Sequence, residues 1–234
     1  MSILFPFLWI YYFCRKDPHP EPILWLIFAF FLGIFSGILS SKAQQAVSSL
    51  FGLDLNNFTF LLLAVFFEEF FKFLVVAVFI FPKKIFDEPI DAMIYMMFSA
   101  FGFIFIENFG YLTKVRLESL TNNFSLGINP VFLTALIRFL GPNLIHILAS
   151  SLIGFGYSFK VITRHSFPFL ISFLAAIFLH FIFNFVIIKS QLVEEGIYLF
   201  SLLLPVIWSA FWVVVFELDY LSIKNGGKQR SKSN

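Results

Sequence analysis

Long apolar runs dominate the chain and are separated by short segments rich in charged residues, glycine and proline. A helix needs about 20 apolar residues to cross the hydrocarbon core of a bilayer. The pattern predicts seven helices, at residues 2–14, 23–41, 57–81, 91–112, 131–159, 167–188 and 197–217. The run at 2–14 is short for a span, but it has no preceding basic residue and no small-residue cleavage site. We therefore interpret it as a retained first span and not as a signal peptide.

Composition places the chain among polytopic membrane proteins of the all-α class. It is 59% apolar and 13% charged, with a mean hydropathy of +0.90, whereas a soluble domain is about 45–50% apolar and about 25% charged. Short loops predict one transmembrane domain at 1–223, followed by a basic tail at 224–234. A net charge of +2 and phenylalanines spread over every apolar run argue against a nucleic-acid partner. Cys14 is the only cysteine, which excludes an internal disulfide and a cysteine metal cluster.

The distribution of lysine and arginine predicts the orientation in a cell membrane, because cytoplasmic loops carry an excess of both. With the N-terminus outside, ten of the 16 basic residues lie in cytoplasmic connections and the tail, and four lie in external loops. Lys72 and Arg138 remain within spans. We expect an external N-terminus and a cytoplasmic C-terminus.

Seven titratable residues fall inside the predicted spans. A charged side chain at the bilayer centre costs about 2.5–3.5 kcal/mol, so these residues are expected to face one another or water. They are Glu68, Glu69, Lys72, Glu107, Arg138, His146 and His180, accompanied by Asn108, Asn143 and Asn184. Spans three to six therefore predict one shared polar pocket.

The third span carries two adjacent carboxylates and a lysine. Glu68 and Glu69 precede Lys72 by four and three residues, so all three lie on one helix face. The ammonium can hold one carboxylate while the other stays free. A free carboxylate in a poorly hydrated site is suited to act as a general base on water.

The next three spans supply the rest of the pocket. Glu107 and Asn108 lie between Gly102 and Gly110, which permit close helix approach. In the fifth span, Gly141 and Pro142 predict a kink that frees backbone groups near the site, and Arg138 and His146 are placed on one stripe. In the sixth span, His180 and Asn184 share a face.

Four motifs in this order resemble the PrsW family of intramembrane proteases, which is related to the CAAX-protease and bacteriocin-processing (CPBP, or Abi) superfamily. The motifs are EEFFK at 68–72, FGFIFIENFGY at 101–111, the run from Arg138 through GPNLIH at 141–146, and HFIFN at 180–184. The proline-rich DPHPEP at 17–22 also resembles the family's first connector. The resemblance implies a bacterial membrane protease that cuts membrane-associated proteins, such as an anti-sigma factor. It also implies an essential glutamate pair at Glu68 and Glu69, with Glu107, His146 and His180 at further motif positions.

The expected mechanism is hydrolysis by water that Glu68 or Glu69 activates, with Lys72 holding the other carboxylate. His146 and His180 would bind the water and the carbonyl, Asn184 would donate to the oxyanion, and Glu107 would orient a histidine. Asn108 and Arg138 are expected to support the site. A Zn²⁺ ion held by His146, His180 and Glu107 is an alternative that the residue types permit, although the HExxH spacing of common zinc proteases is absent.

Two other classes of protein fit the same polar residues. A proton-coupled transporter could use them as a relay, and a membrane scaffold or immunity protein could retain the same helices without chemistry. No internal repeat of the kind found in many transporters is present. The change Glu68→Gln separates the classes, because only a protease would lose peptide-bond cleavage.

Overall fold

The computed structural model describes residues 11, 15, 19–121, 129–190, 209–217 and 219–221, and in these residues it contains helices and no strands. Six helices have defined bounds: α1 (Ile23–Phe51), α2 (Phe58–Phe79), α3 (Asp91–Thr121), α4 (Pro130–Leu140), α5 (Pro142–Thr163) and α6 (Phe167–Ser190). Residues 209–217 and 219–221 are also helical. The predicted all-α class is confirmed for the described residues.

Four helical stretches are long and apolar enough to cross a membrane: α1, α3, α4 together with α5, and α6. Helix α2 has 22 residues but carries three charged residues near its middle. The predicted span at 2–14 lies outside the described residues except for Tyr11, and the span at 197–217 is described only from residue 209. The number of seven spans therefore stays a prediction. The basic tail at 224–234 also lies outside the described residues.

Two helices extend well beyond the predicted spans. Helix α1 continues to Phe51, ten residues past the predicted end, and α3 continues to Thr121 instead of ending at 112. Residues 42–50, KAQQAVSSL, are polar enough to leave an apolar core but contain no glycine or proline to stop a helix. Gly52 then ends α1 in a left-handed conformation at φ 63°, with its N–H donating to the Ser48 carbonyl.

These extensions change the assignment of three basic residues. Lys42 lies in α1, and Lys114 and Arg116 lie in α3, whereas the hydropathy pattern predicted all three in external loops. The assignment of these residues to loops was wrong, because hydropathy marks where apolar composition ends and a helix can continue past that point. Their place on the external side stays a prediction.

The predicted span at 131–159 is divided at Gly141 into α4 and α5, which confirms the kink. Pro142 has no N–H to continue the hydrogen-bond ladder, and its ring clashes with the carbonyl four residues earlier. Gly141 accordingly leaves helical geometry at φ −123° and ψ −86°. At the other end of α4, the Asn129 side chain caps the helix by accepting hydrogen bonds from the N–H groups of Val131 and Phe132.

Helices α1 and α3 cross in close contact at two glycines. A Cβ on Gly33 would lie 1.9 Å from the Ser99 carbonyl oxygen, and a Cβ on Gly102 would lie 1.8 Å from the Phe30 carbonyl oxygen. The close approach predicted for Gly102 is confirmed. Gly110 has nothing within 4 Å of a Cβ among the described residues, so it does not serve this purpose.

A cluster of acidic residues joins the start of α1 to the start of α3. The Tyr95 hydroxyl donates to Glu21 Oε2, and Asp91 Oδ2 accepts from the backbone N–H groups of Asp87 and Glu88 at 3.0 and 2.8 Å. Burial raises the pKa of the Glu21 carboxyl above its ordinary value. The sequence placed Glu21 only in a rigid proline-rich connector, and the structure adds its attachment to α3.

Helix α2 occupies a central position and packs against α1, α3, α5 and α6. Around it, α1 contacts α3, α3 contacts α5, and α5 contacts α6. The charged face of α2 is therefore directed into the bundle, where side chains from each neighbouring helix can reach it.

Candidate active site

The charged face of α2 forms the floor of the site. Lys72 Nζ donates a hydrogen bond to Glu69 Oε1 at 2.6 Å, and both side chains are fully buried. The ammonium also lies 4.8 Å from the centre of the Phe103 ring on α3, a favourable cation–π contact. Lys72 therefore neutralises Glu69 in an environment with no access to water.

Glu68 has a different environment from its neighbour. Its Oε1 accepts a hydrogen bond from Gln44 Nε2 on α1 at 3.1 Å, and its Oε2 lies 3.5 Å from His180 Nε2. The side chain keeps 13% of its surface exposed. Within the described residues, Glu68 is the carboxylate of the site that pairs with neither lysine nor arginine.

The hydrogen bonds of His180 define which ring nitrogen carries the proton. Nδ1 lies 2.8 Å from Glu69 Oε1, and a carboxylate can only accept, so Nδ1–H is the donor. In the neutral ring, Nε2 then has a lone pair that faces Glu68 Oε2 and the Asn184 amide nitrogen, the latter at 3.2 Å. Two acceptors, Nε2 and the Glu68 carboxylate, thus face each other.

His146 is held between a cation and a carboxylate. Lys72 Nζ donates to His146 Nδ1 at 3.2 Å, so Nε2–H donates to Glu107 Oε2 at 3.1 Å. The ring packs edge to face against His180 with centroids 4.6 Å apart. The two histidines therefore fix each other's orientation.

Glu107 and Arg138 connect the two sides of the helix break. Arg138 donates to Glu107 Oε2 at 2.6 Å and, through Nε, to Asn108 Oδ1. Its guanidinium also lies 4.1 Å from the centre of the Tyr111 ring. Arg138 is 7% exposed and lies in the last turn of α4, whereas His146 lies in α5 beyond the break at Gly141. Both nevertheless contact the same oxygen of Glu107.

All nine predicted site residues belong to one connected network. Glu69, Lys72, His146 and His180 form its buried centre. Three carboxylates face two cations, Lys72 and Arg138, so the site carries one net negative charge when the carboxylates are ionised and the histidines are neutral. Lys72 holds Glu69 and Arg138 holds Glu107, which leaves the excess charge on Glu68.

Gln44, Ser150 and Phe103 are among the residues that contact this network and were not predicted from the sequence. Gln44 reaches Glu68 from the extension of α1, and Ser150 Oγ donates to Glu69 Oε2 at 3.5 Å. Phe103 packs on both Lys72 and the His146 ring. Ser150 follows His146 by four residues, and this spacing could have placed it on the same helix face. Gln44 is on a different helix from the predicted site residues, so no helical spacing relates it to them.

The residue types also fit a metal ion. One ligand atom each from Glu68, His146 and His180 lie within 4.8 Å of one another, and two imidazoles with a carboxylate are a common catalytic zinc set. In each histidine one ring nitrogen contacts a carboxylate: His180 Nδ1 contacts Glu69, and His146 Nε2 contacts Glu107. Metal-binding histidines usually make such a contact through the nitrogen that does not bind the metal. Lys72 Nζ competes for the remaining lone pair of His146. The sequence proposed Glu107 as the carboxylate ligand, whereas the structure groups Glu68 with the histidines.

A helical membrane bundle with buried carboxylates and histidines in contact has the groups that a membrane-embedded hydrolase needs. A model of the PrsW family of intramembrane metalloproteases matches residues 21–215, and Protease PrsW of Geobacillus kaustophilus (strain HTA426) is 25% identical over 216 residues, covering 86% of this chain and 82% of the relative. No solved structure matches the chain. The chain belongs to the PrsW family of intramembrane metalloproteases and is a membrane-embedded peptidase.

Proposed function

We propose that the chain hydrolyses a peptide bond of a membrane-associated protein with a water molecule activated by Glu68. The observation that carries this proposal is the contrast between the two adjacent carboxylates. Glu69 is neutralised by Lys72 and binds His180, whereas Glu68 has no cationic partner in the described residues and faces the lone pair of His180 Nε2 at 3.5 Å. A carboxylate in this position can accept a proton, as a general base must.

In the first step, water hydrogen bonds to Glu68 Oε2 and to His180 Nε2. The water oxygen attacks the carbonyl carbon of the substrate while one of its protons passes to Glu68. The second step breaks the C–N bond, and Glu68 returns the proton to the leaving amine nitrogen. Asn184 Nδ2 lies beside His180 and is the donor that we assign to the developing oxyanion.

The remaining residues of the network orient the reacting groups. Glu69 keeps the proton of His180 on Nδ1, so Nε2 is an acceptor. In the structure Nε2 accepts from Asn184 Nδ2 at 3.2 Å, and water takes this place when the amide turns to the oxyanion. Arg138 and Asn108 fix Glu107, and Glu107 fixes His146 against His180. If a metal ion binds, Glu68, His146 and His180 would hold it, and it would supply Lewis-acid polarisation of the carbonyl or of the water.

We propose that the substrate is a single-span regulator, such as an anti-sigma factor, and that the site opens to the outside of the membrane. The excess of lysine and arginine in the predicted cytoplasmic connections supports an external N-terminus. Glu68 then lies ten residues from the external end of α2, about 15 Å along the helix axis.

The test is a comparison of new protein N-termini by mass spectrometry. Membranes are prepared from cells that express the wild type or Glu68→Gln at equal levels. We expect termini that occur only with the wild type and that cluster beside single membrane spans. Identical termini in both membranes would contradict a protease function and would favour the proton-coupled transporter or the scaffold.

Gln44 is a positioning residue for the proposed base, and Gln44→Leu should slow cleavage without unfolding the protein. The change removes the hydrogen bond to Glu68 Oε1, and a hydrogen bond to a charged group contributes about 1.5–3 kcal/mol. We expect kcat to fall by about tenfold or more, with KM close to wild type and a decrease of a few degrees in the apparent melting temperature. The measurement is the rate of cleavage at several substrate concentrations in liposomes.

Gln45 provides a matched control on the same helix. Its amide donates only to Ser41 Oγ at 3.3 Å, and it is exposed. Gln45→Leu should therefore cleave at the wild-type rate. Equal rates for Gln44→Leu and Gln45→Leu would show that Gln44 does not position the base.

A further inference from the structure

Asn143 is a buried amide without a hydrogen-bond partner in the described structure. Its side chain is 1% exposed, and neither Oδ1 nor Nδ2 forms a hydrogen bond there. Buried polar groups in native proteins are nearly always hydrogen bonded, because an unpaired one has lost its water without compensation. An amide in this state is available to a partner that joins the protein during its function.

The position of Asn143 on α5 directs it towards the candidate active site. Asn143, His146 and Ser150 are spaced by three and four residues, so they share one face of the helix. His146 contacts Lys72 on that face, and Ser150 Oγ donates to Glu69. Asn143 lies one turn before His146, towards the break at Gly141.

Helix α6 packs beside the start of α5, near Asn143. A Cβ on Gly141 would lie 3.1 Å from the Phe183 ring, while Ser150 and His180 both bond to Glu69. The two helices therefore run in opposite directions. The contact at Gly141 brings the start of α5, which carries Asn143, beside the turn of α6 that carries Phe183 and Asn184. Asn184 is the residue proposed to stabilise the oxyanion.

Asn108 adds a second unpaired amide group beside the network. Its Oδ1 accepts from Arg138, but its Nδ2 has no partner among the described residues, and the side chain is 1% exposed. Asn108 directly follows Glu107, which contacts His146. Two buried amides without complete hydrogen bonding thus lie on α3 and α5, the helices that carry Glu107 and His146.

A peptide group is the partner that complements Asn143. It offers one N–H and one C=O, which match the Oδ1 acceptor and the Nδ2 donor of the side chain. A membrane-spanning substrate must unwind locally to expose a peptide bond, and its freed backbone groups then need partners because lipid offers none. Aliphatic lipid chains could not satisfy either atom of the amide.

We propose that Asn143 binds a main-chain peptide group of the unwound substrate beside the bond that is cut. Asn108 Nδ2 provides an additional donor to the same segment. This inference rests on the proposed function. The enzyme would then recognise the backbone groups of its substrate, which are the same in every protein sequence. Asn143 would bind substrate without taking part in the proposed reaction steps.

The test compares the wild type with Asn143→Leu in cleavage and in stability. Leucine has a similar volume and removes both unpaired polar atoms, so the apparent melting temperature should stay equal or rise. Removing the partner of a buried substrate peptide group should lower kcat/KM by about tenfold or more, mainly through KM. The substrate is the single-span protein found in the comparison of N-termini, purified and placed with the enzyme in phosphatidylcholine liposomes.

Ser151→Ala is the control, since Ser151 is a buried polar residue of α5 whose hydroxyl bonds within its own helix to the Leu148 carbonyl at 2.8 Å. This variant should cleave at the wild-type rate. A lower melting temperature for Asn143→Leu would show a structural role, and an unchanged kcat/KM would show no role in binding; either result overturns the inference. Failure of the wild type itself to cleave would instead reject the proposed function, together with the inference that rests on it.

Discussion

Glu68→Gln should reduce cleavage by the purified protein by about a thousandfold or more while leaving its stability almost unchanged. A glutamine side chain cannot accept the proton of the attacking water, and a general base contributes about 10²–10⁴-fold to a rate. Its amide oxygen can still accept the hydrogen bond from Gln44. The measurement combines single-turnover cleavage in liposomes with the apparent melting temperature of the same preparation.

Glu118→Gln is the matched control for this change. Glu118 lies on α3, is 58% exposed and pairs with Lys114 at 3.9 Å, and an exposed pair of this kind contributes about 0–1 kcal/mol. The variant should cleave and melt like the wild type. Substantial cleavage by Glu68→Gln would move the role of base to another group, and Glu69 would be the next residue to change.

Lys72→Met should be the most destabilising single change in the site. It leaves Glu69 fully buried without its cation, and removing one partner of a buried pair costs about 3–5 kcal/mol. For a chain of this length, that corresponds to a decrease of about 10 °C in the apparent melting temperature. The measurement is thermal unfolding in detergent, followed by the loss of monodisperse protein.

The double variant Lys72→Met, Glu69→Gln should recover most of this loss. Both charges are then absent, and replacing a buried ion pair as a whole is often neutral for stability. The glutamine oxygen can still accept from His180 Nδ1, as Glu69 does. A double variant that is as unstable as Lys72→Met would show that Lys72 stabilises the bundle mainly through Phe103 and His146 and not through Glu69.

Contacts within one helix could be predicted from the sequence, because helical spacing determines which residues lie on the same face. Lys72 bonds to Glu69 three residues earlier, and Asn184 contacts His180 four residues earlier, as helical spacing requires. The break at Gly141 and Pro142 follows from the chemistry of proline. These features depend on local covalent structure, which a sequence contains directly.

Contacts between helices required the structure. The meeting of Arg138 and His146 on one oxygen of Glu107 depends on how α3 packs against α4 and α5. Gln44 reaches Glu68 only because α1 continues past its apolar segment. Helix rotation and depth are determined by packing over the whole bundle, so no short pattern near Gln44 indicates this contact.

The charged face of α2 also has a consequence for how the protein enters the membrane. Each charged residue at the centre of a helix opposes insertion by about 2.5–3.5 kcal/mol, and α2 carries three of them: Glu68, Glu69 and Lys72. The pair of Glu69 with Lys72 reduces this cost within the helix, but Glu68 depends on α1 and α6 for its contacts. Of these three helices, α1 emerges first during synthesis and α6 last, so we expect α2 to become stably embedded only after α6 has joined it.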